Sequence, residues 1–258
     1  MEKTMAFTQA ILKQCWPRWQ QHFSPETRLR LGAVPLAVLA DCPSDVVGRY
    51  LSAAELEQWS GFHLKKRRTE WLGGRLSAKW AAAGLLNKAE MDWHSLVIQS
   101  EEDGRPYLAA GVRPVAPFIS ISHSGHLAAA LAANLPCGLD IQQPDAKMHT
   151  VKKRFATPEE EDLLTAALPQ SFTKTEQLTL LWAAKEAVRK MVRISPLLGL
   201  LDIRLLAGHG GRSTPQEPLA LTFTASRQQE CQTNISVLCF FTDNLAWAMA
   251  CPMLIKLS

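Results

Sequence analysis

The amino-acid sequence predicts a protein of the α+β class. Two long segments, residues 62–86 and 173–192, carry apolar side chains at the 3.6-residue period of amphipathic helices. The segment 118–124 instead alternates with a period of two, and after a turn at Gly125 the chain returns through a second apolar run at 127–133, which is typical of a hairpin. Further strand-like runs follow the second long helix. Together these patterns predict a mixed helix and sheet fold.

The composition is that of an ordinary soluble globular protein. The chain has 258 residues, of which 47% are hydrophobic and 20% charged. A chain of this length buries about 70 to 75% of its unfolded surface, so one large domain or two small ones are both possible. The net charge of +4 suits an acidic partner or a phosphate-bearing ligand and does not require nucleic acid. The six cysteines include no C-x-x-C pair, so neither a zinc site nor a disulfide framework is indicated.

No targeting or membrane segment is expected. Charged and amide side chains within the first fifteen residues interrupt the apolar core that a signal peptide needs. No run approaches the roughly eighteen apolar residues of a membrane span. Together with the cysteine pattern, these features predict a cytoplasmic protein that does not associate with a membrane.

The N-terminal part begins with weak signals and ends in a long helix. Residues 5–23 read as an amphipathic helix or a loosely attached extension, and residues 36–39 as a short first strand. Ser52 with Glu55 three residues later forms a capping box that opens a helix. The helix predicted at 62–86 follows it.

This long helix carries a basic face with two possible meanings. Arg68, Arg75 and Lys79 are separated by seven and four residues, which brings them to the same side of a helix. Such a face can bind phosphate. It can equally be a solvated surface, and the spacing alone does not decide between the two.

The middle of the chain reads as a turn, a passage and three strands. Asp103-Gly104-Arg105-Pro106 is a turn by composition, and residues 109–117 look like the passage between two halves. After the hairpin, a strand at 137–141 contains Asp140 at its end. If the strands pair in sequence order, His123 lies near Asp140.

Two helices and four strands complete the prediction. Thr157 with Glu160 forms a second capping box, with proline at the first helical position, and starts a helix through Leu164. The helix at 173–192 is stopped by Pro196. The last four strands are predicted at 200–206, 219–224, 235–241 and 245–250.

An acid and a base lie on one stripe of the second long helix. Trp182, Glu186 and Lys190 follow one another at four-residue intervals. Asp140 stands at a strand end, just before Gln142. If that strand end faces the helix, two carboxylates and an ammonium converge. Carboxylate oxygens and phosphate are the ligands that Mg²⁺ prefers, and a nearby lysine suits phosphoryl charge.

Three segments of the chain resemble, in the same order, the three motifs of the 4'-phosphopantetheinyl transferases, specifically the long surfactin-type branch. Each motif alone is a weak signal, and their order and spacing make the resemblance specific. The matches to S-H-S, G-x-D-I-E and W-x-x-K-E-A-x-x-K are, respectively, Ser122, His123 and Ser124; Gly138, Asp140 and Ile141; and Trp182, Lys185, Glu186, Ala187 and Lys190. Gln142 stands where glutamate is usual.

The resemblance implies a fold of two similar α/β subdomains related by pseudo-twofold symmetry, here residues 1–115 and 116–258, with the active site in the cleft between them. It also implies transfer of the 4'-phosphopantetheine arm of coenzyme A to a serine of an apo carrier protein, as a holo-[acyl-carrier-protein] synthase does. The cofactor would be Mg²⁺, the co-substrate coenzyme A, and the partner an acyl, peptidyl or aryl carrier of fatty acid, polyketide or nonribosomal peptide biosynthesis. The protein would be a monomer.

The resemblance also assigns roles to residues. Asp140, Glu186 and Lys190 would be catalytic, with Glu186 accepting the serine proton. Asp140, Gln142 and Glu186 would surround the metal; an amide binds Mg²⁺ poorly, so we expect Gln142 to act through water or from the outer shell. The residues expected to bind coenzyme A are Arg68, Arg75, Gly104, Arg105, Ser122, His123, Asp140 and Lys190.

One further departure from the family and three rival interpretations remain. In the family, basic residues hold the 3'-phosphate of coenzyme A, and the corresponding positions of this chain fall near Glu55 and Gln58. The cluster Lys65–Arg68 is therefore the expected substitute. The protein could instead bind coenzyme A without catalysis, or be another Mg²⁺-dependent phosphotransferase, although no phosphate-cradling G-x-x-x-x-G-K-[ST] run is present. A purely structural protein would leave the three motifs unexplained.

Overall fold

The computed structural model describes most of the chain as two compact units. The described residues are 22–87, 93–109, 116–192, 194, 196–209, 217–226 and 233–252. The first unit ends at Leu135 and the second begins at Pro136, and the second also includes residues 22–24. Most of the predicted extension 5–23 and of the predicted passage 109–117 lies outside the described residues. Within the described part, no helix combines the length and hydropathy needed to cross a membrane.

The first unit is an antiparallel sheet with one long helix packed on it. In chain order its elements are β1 (Leu29–Pro35), α1 (Ser44–Val47), α2 (Ala53–Ser60), α3 (Lys65–Leu85), β2 (Ile98–Ser100), β3 (Pro106–Leu108), β4 (Phe118–Ser124) and β5 (Leu127–Ala133). The strand order is β1-β5-β4-β3-β2. Helix α3 approaches the sheet closely, because β5 is rich in buried alanine and a Cβ at Gly32 of β1 would overlap the Ser77 carbonyl oxygen.

The second unit repeats this plan. Its elements are β6 (Gly138–Gln142), α4 (Lys147–Val151), α5 (Pro158–Ala167), α6 (Lys174–Met191), β7 (Ile203–His209), β8 (Leu219–Ala225), β9 (Thr233–Thr242) and β10 (Leu245–Ala250). The strand order is β6-β10-β9-β8-β7, again antiparallel. Helix α6 packs on β6, β9 and β10 over a continuous apolar core. The α+β class and the two units of similar build are therefore confirmed.

Each unit contains a buried lysine–glutamate pair with the same pattern of partners. In the second unit, Lys185 of α6 lies 2.7 Å from Glu160 at the start of α5, and both side chains are almost fully buried. Lys185 also donates to the carbonyl oxygens of Phe155 and Leu200, while Glu160 accepts from the backbone N–H of Leu205. One ion pair thus ties α6, α5 and β7 together. Burial lowers the pKa of Lys185, and the carboxylate of Glu160 opposes that effect.

The first unit contains the counterpart. Lys79 of α3 lies 2.6 Å from Glu55 of α2, again with both side chains buried. Lys79 donates to the carbonyl oxygens of Tyr50 and Trp93, and Glu55 accepts from the backbone N–H of Ile98 in β2. Both glutamates also complete a capping box, with Ser52 and Thr157 respectively, as the sequence predicts. A single carboxylate therefore caps a helix, neutralises a buried lysine and binds an edge strand.

Three expectations about the fold are corrected. Residues 36–39 are not a strand; Leu36–Val38 form a short 3-10 helix that leaves the sheet, and the first strand is β1 just before it. The division between units falls at Leu135 and Pro136 rather than at 115/116, because β4 and β5 pair within the first sheet. Strands β5 and β6 do not pair, so His123 and Asp140 lie in different sheets.

The buried pair predicts an asymmetric effect on stability. Lys185→Met should lower the free energy of unfolding by about 3 to 5 kcal/mol, because it leaves the Glu160 carboxylate buried without its cation. Lys152→Met removes a lysine from the more exposed pair with Glu161 and should change the free energy of unfolding by no more than about 1 kcal/mol. Urea unfolding followed by circular dichroism measures both. Equal stability of the two variants would contradict the anchoring role.

Candidate active site

Strand β6 and helix α6 approach each other closely where the predicted acids lie. Gly138, Asp140 and Gln142 alternate along β6 and therefore share one face of the strand. A Cβ at Gly138 would overlap the carbonyl oxygen of Ala187 in α6. Only glycine permits this contact, which brings the backbone of the helix against the face that carries Asp140.

Asp140 is paired with Lys190 across this contact. The Nζ of Lys190 lies 2.7 Å from Oδ1 of Asp140 and also donates to the Leu139 carbonyl oxygen at 2.9 Å. The aspartate side chain is nearly buried, and the lysine side chain is partly exposed. The acid at the strand end and the base of the helical motif are therefore brought together as the sequence predicts.

Glu186 lies one helical turn before Lys190 and has its own cation. Both of its carboxylate oxygens are 2.7 Å from Nη2 of Arg189. Burial raises the pKa of Glu186 above its ordinary value, and the negative charge of Asp140 raises it further, while Arg189 and Lys190 act in the opposite direction. The interaction with Asp140 means that the two carboxylates lie within electrostatic range of each other.

These side chains offer an oxygen-only donor set. Among the described residues, no group of three or more His, Cys, Asp or Glu could hold a metal ion. The third predicted position, Gln142, is partly exposed, and its Nε2 donates to the Gln143 carbonyl oxygen at 3.3 Å. Two carboxylates with phosphate and water ligands nevertheless fit Mg²⁺, which is often bound through one or two protein acids together with substrate phosphates.

Trp182 and Lys185, the other two side chains of the helical motif, have structural positions. The ring of Trp182 meets Phe155 edge to face, with 5.1 Å between centroids. Lys185 forms the buried pair with Glu160. The motif therefore divides by role, because Trp182 and Lys185 pack and pair within the second unit while Glu186 and Lys190 contribute to the acid site.

The first unit contains an open cavity of about 460 Å³ with a basic and aromatic lining. Its lining residues are Gln58, Phe62, Arg67, Glu70, Trp71, Gly74, Arg75, Ser100, Gly104, Pro106, Ile121 and His123. Three of the predicted coenzyme-binding residues, Arg75, Gly104 and His123, are among them. Gly104 has a positive φ of 85°, which glycine adopts without strain, in the turn predicted at this point.

Arg75 is the most unusual residue of this cavity. It is only 7% exposed, its guanidinium carbon lies 4.7 Å from the ring centroid of Trp71, and its Nη2 is 3.4 Å from the Ser100 hydroxyl. Burial lowers its pKa. Within the described part of the chain, no carboxylate forms an ion pair with Arg75, and its Nε has no hydrogen-bond partner. A buried cation of this kind beside an open cavity favours an anionic ligand.

Other predicted binding residues lie elsewhere. The guanidinium of Arg68 lies over the ring of Trp59, with 5.2 Å from its carbon to the ring centroid, and does not line the cavity. Lys79 is fully buried with Glu55, so of the two interpretations of the basic face the one with three phosphate-binding cations is wrong, and Lys79 is not solvated either. Arg105 pairs with Asp103 at 2.8 Å, and Ser122 is buried in β4.

Two further side chains of this lining bear on a ligand: Arg67, which belongs to the expected cluster Lys65–Arg68, and Glu70, which was not predicted. Arg67 replaces Arg68, because a one-residue step turns the helix by about 100°. Glu70 also lines the cavity and lies 3.7 Å from Nδ1 of His123. The position of Arg67 within the basic run 65–68 was the available signal, whereas Glu70 had none.

The raised pKa of Glu186 predicts how one variant changes stability with pH. A carboxyl group whose pKa is higher in the folded state stabilises the fold at low pH, and that contribution is lost as pH rises through the folded-state pKa. Glu186→Gln should therefore be more stable than the wild type at pH 7.5, and the difference should shrink as pH falls below 5. Urea unfolding at several pH values measures this. Lower stability of the variant than of the wild type at pH 7.5 would show that burial does not raise the pKa of Glu186.

Comparison with known proteins places the second unit in a family. The model of the 4'-phosphopantetheinyl transferase superfamily matches residues 136–249. The chain is 35% identical over 86 residues to the holo-[acyl-carrier-protein] synthase of Shouchella clausii strain KSM-K16, covering 32% of this chain and 73% of the relative. It is 34% identical over 85 residues to the synthase of Lactococcus lactis subsp. cremoris strain SK11, covering 30% and 68%.

Among solved structures, one similar chain is a holo-(acyl-carrier-protein) synthase from Bacillus anthracis in complex with CoA (3',5'-ADP). It is 22% identical with a TM-score of 0.38, covering 41% of this chain and 92% of that one. A likeness at that TM-score does not define the fold of this chain. The sequence relatives, with the motif residues clustered at β6 and α6, establish that the chain belongs to the 4'-phosphopantetheinyl transferase superfamily.

Proposed function

We propose that this protein transfers the 4'-phosphopantetheine arm of coenzyme A to a serine hydroxyl of an apo carrier protein, giving the holo carrier and adenosine 3',5'-bisphosphate. The observation that carries the proposal is the pair of nearly buried acids, Asp140 and Glu186, held beside Lys190 inside the region that matches the family. In this reaction the serine oxygen bonds to the phosphorus that carries the pantetheine arm, and the bond from that phosphorus to the bisphosphate breaks.

Each residue of the site has its own role in the proposed reaction. Glu186 accepts the proton of the attacking serine, directly or through water, and its raised pKa makes it a better base than an ordinary glutamate. Lys190 stabilises the phosphoryl oxygens. The nucleophile belongs to the carrier, so the chain need not supply one. Asp140 and Glu186 would hold Mg²⁺, which when bound would offset negative charge that develops on the leaving bisphosphate. Gln142 would contact it through water.

The cavity of the first unit is proposed to bind the nucleotide part of coenzyme A. Arg75 and Arg67 supply positive charge for phosphate, Trp71 and Phe62 supply aromatic surface for a base, and His123 is a further phosphate contact. The synthase from Bacillus anthracis was solved in complex with CoA (3',5'-ADP). Ser122 and Arg105, expected from the resemblance to contact the coenzyme, lie outside this lining.

The remaining features of the proposal concern the branch and the partners. We infer the long, two-subdomain branch, a monomeric protein and a cytoplasmic location, with acyl, peptidyl or aryl carrier domains as partners. The two units of similar build support that branch. Whether the carrier serves fatty acid, polyketide or nonribosomal peptide synthesis depends on surfaces that the motifs do not include.

A second candidate is a coenzyme A-binding protein without transfer activity. The observation that favours it is Gln142, an uncharged amide at the position where the family usually has glutamate. Asp140, Glu186 and Lys190 are nevertheless all present and paired. The two candidates make the same prediction for coenzyme binding and opposite predictions for turnover.

The proposed reaction predicts a mass change on a carrier protein. An apo acyl carrier protein incubated with the protein, coenzyme A and Mg²⁺ should gain about 340 Da, the mass of the phosphopantetheine arm, in a metal-dependent reaction. Intact-protein mass spectrometry of a panel of acyl, peptidyl and aryl carriers measures it. No gain on any carrier, with folded protein that binds coenzyme A, would favour the second candidate.

Matched variants locate the chemistry in the same assay. Glu186→Ala should abolish transfer, because it removes a metal ligand and the base together, whereas Glu159→Ala removes an exposed acid of the same unit and should leave transfer unchanged. Arg75→Gln should raise the KM for coenzyme A at least about tenfold, the loss of one charge-assisted contact. Activity retained by Glu186→Ala would mean that the reaction occurs elsewhere.

A further inference from the structure

Arg189 has no role in the motif, yet it contacts the most important acid of the site. Its Nη2 lies 2.7 Å from both oxygens of Glu186, and the next residue, Lys190, lies 2.7 Å from Asp140. Two consecutive residues of α6 therefore neutralise the two acids separately. The position of Arg189 in the motif W-x-x-K-E-A-x-x-K is one of the undefined ones, so the motif does not demand a cation there.

This contact is not required to hold the helix in place. The Arg189 side chain is about one-third exposed, and the helix is anchored from another direction by fully buried Lys185. Pairs three residues apart on an exposed helix contribute little stability. The carboxylate of Glu186 is nearly buried, however, so its interaction with Arg189 is less screened than a surface pair. The contact with Arg189 therefore affects the electrostatic environment of the Glu186 carboxylate more than it affects the stability of the fold.

A metal ion and Arg189 need the same oxygens. A carboxylate has about four lone-pair positions, and the guanidinium occupies one on each oxygen of Glu186. A divalent cation bound there would also repel a guanidinium at close range. Metal binding to Glu186 therefore competes with the contact of Arg189.

An anionic ligand supplies an alternative partner for the displaced arginine. The planar guanidinium matches phosphate oxygens in two-point geometry. The diphosphate of coenzyme A is the ligand proposed to meet Asp140, Glu186 and Lys190. Once Arg189 has moved to a phosphate, Glu186 is available to the metal, and the metal in turn attracts the phosphate.

Resting on the proposed function, we propose that Arg189 is a positioning residue that couples metal binding to coenzyme binding, because it holds Glu186 until the diphosphate of coenzyme A offers it another anionic partner. The metal alone then binds weakly, and coenzyme A strengthens its binding. By thermodynamic linkage, the metal strengthens coenzyme binding by the same factor.

Manganese titrations followed by electron paramagnetic resonance test this coupling. Mn²⁺ is titrated into the full chain alone and with saturating coenzyme A, and a titration of coenzyme A without protein corrects for Mn²⁺ bound in solution. In Arg189→Gln, Mn²⁺ alone should bind about tenfold more tightly than in the wild type, and the strengthening by coenzyme A should fall by about tenfold, the effect of one charge-assisted contact.

Two further variants separate this role from a general effect of charge. Arg154→Gln removes an exposed arginine of the same unit and should bind Mn²⁺ like the wild type. Arg189→Lys keeps a cation that can compete for Glu186 and should restore most of the weak binding of Mn²⁺ alone. Circular dichroism checks that each variant is folded, and the partly exposed position of Arg189 makes this the expected result.

The outcomes distinguish this inference from the function on which it rests. If the wild type transfers the arm but Arg189→Gln binds Mn²⁺ no more tightly, or keeps the full strengthening by coenzyme A, the coupling role is wrong and the function stands. If the wild type neither transfers the arm nor binds Mn²⁺ in the presence of coenzyme A, both are wrong.

Discussion

The structure depends on how helix α6 is held against the second sheet. Lys185 is buried and bound to Glu160, so the rotation of the helix about its own axis is fixed. The next residue, Glu186, is then directed toward β6, and Gly138 permits the close contact that brings Asp140 into range. A buried ion pair contributes little net stability compared with apolar packing. Its value here is that it leaves the helix one orientation, and the orientation sets the positions of the acids.

The first unit has the same kind of buried lysine–glutamate pair, but it has no acid at the positions that correspond to Asp140 and Glu186. Gly32 and Lys79 stand at the same separation as Gly138 and Lys185, and each glycine lies against the backbone of the long helix. Two residues after the glycine, the first unit has buried Val34 where the second has Asp140. The residue after the anchoring lysine is Trp80 instead of Glu186. The common framework therefore carries an acid site in one unit and a basic, aromatic cavity in the other.

Local signals in the sequence predicted much of this arrangement. The capping boxes at Ser52 and Thr157 and the hairpin of β4 and β5 follow from cap residues and periodicity, which depend on neighbouring residues. The approach of Lys190 to Asp140, 50 residues apart in the chain, was expected from the order and spacing of the three motifs. Strands β2 and β3 were too short, at three residues each, to show a period. Sequence position also could not reveal that Lys79 is neutralised by Glu55, because the two are 24 residues apart and meet only in the folded unit. The same limitation applies to the bond between Arg189 and Glu186, since either side chain could have pointed to solvent.

The central claim is that Asp140 and Glu186 bind the same divalent cation. Crystals grown with Mn²⁺ and coenzyme A, measured at a wavelength where manganese scatters anomalously, test it most directly. We expect one anomalous peak at ligand-bonding distance, about 2.0 to 2.2 Å, from an oxygen of each acid and from the coenzyme phosphates. A peak bound by only one of the two acids, or manganese located elsewhere with the coenzyme in place, would contradict the account.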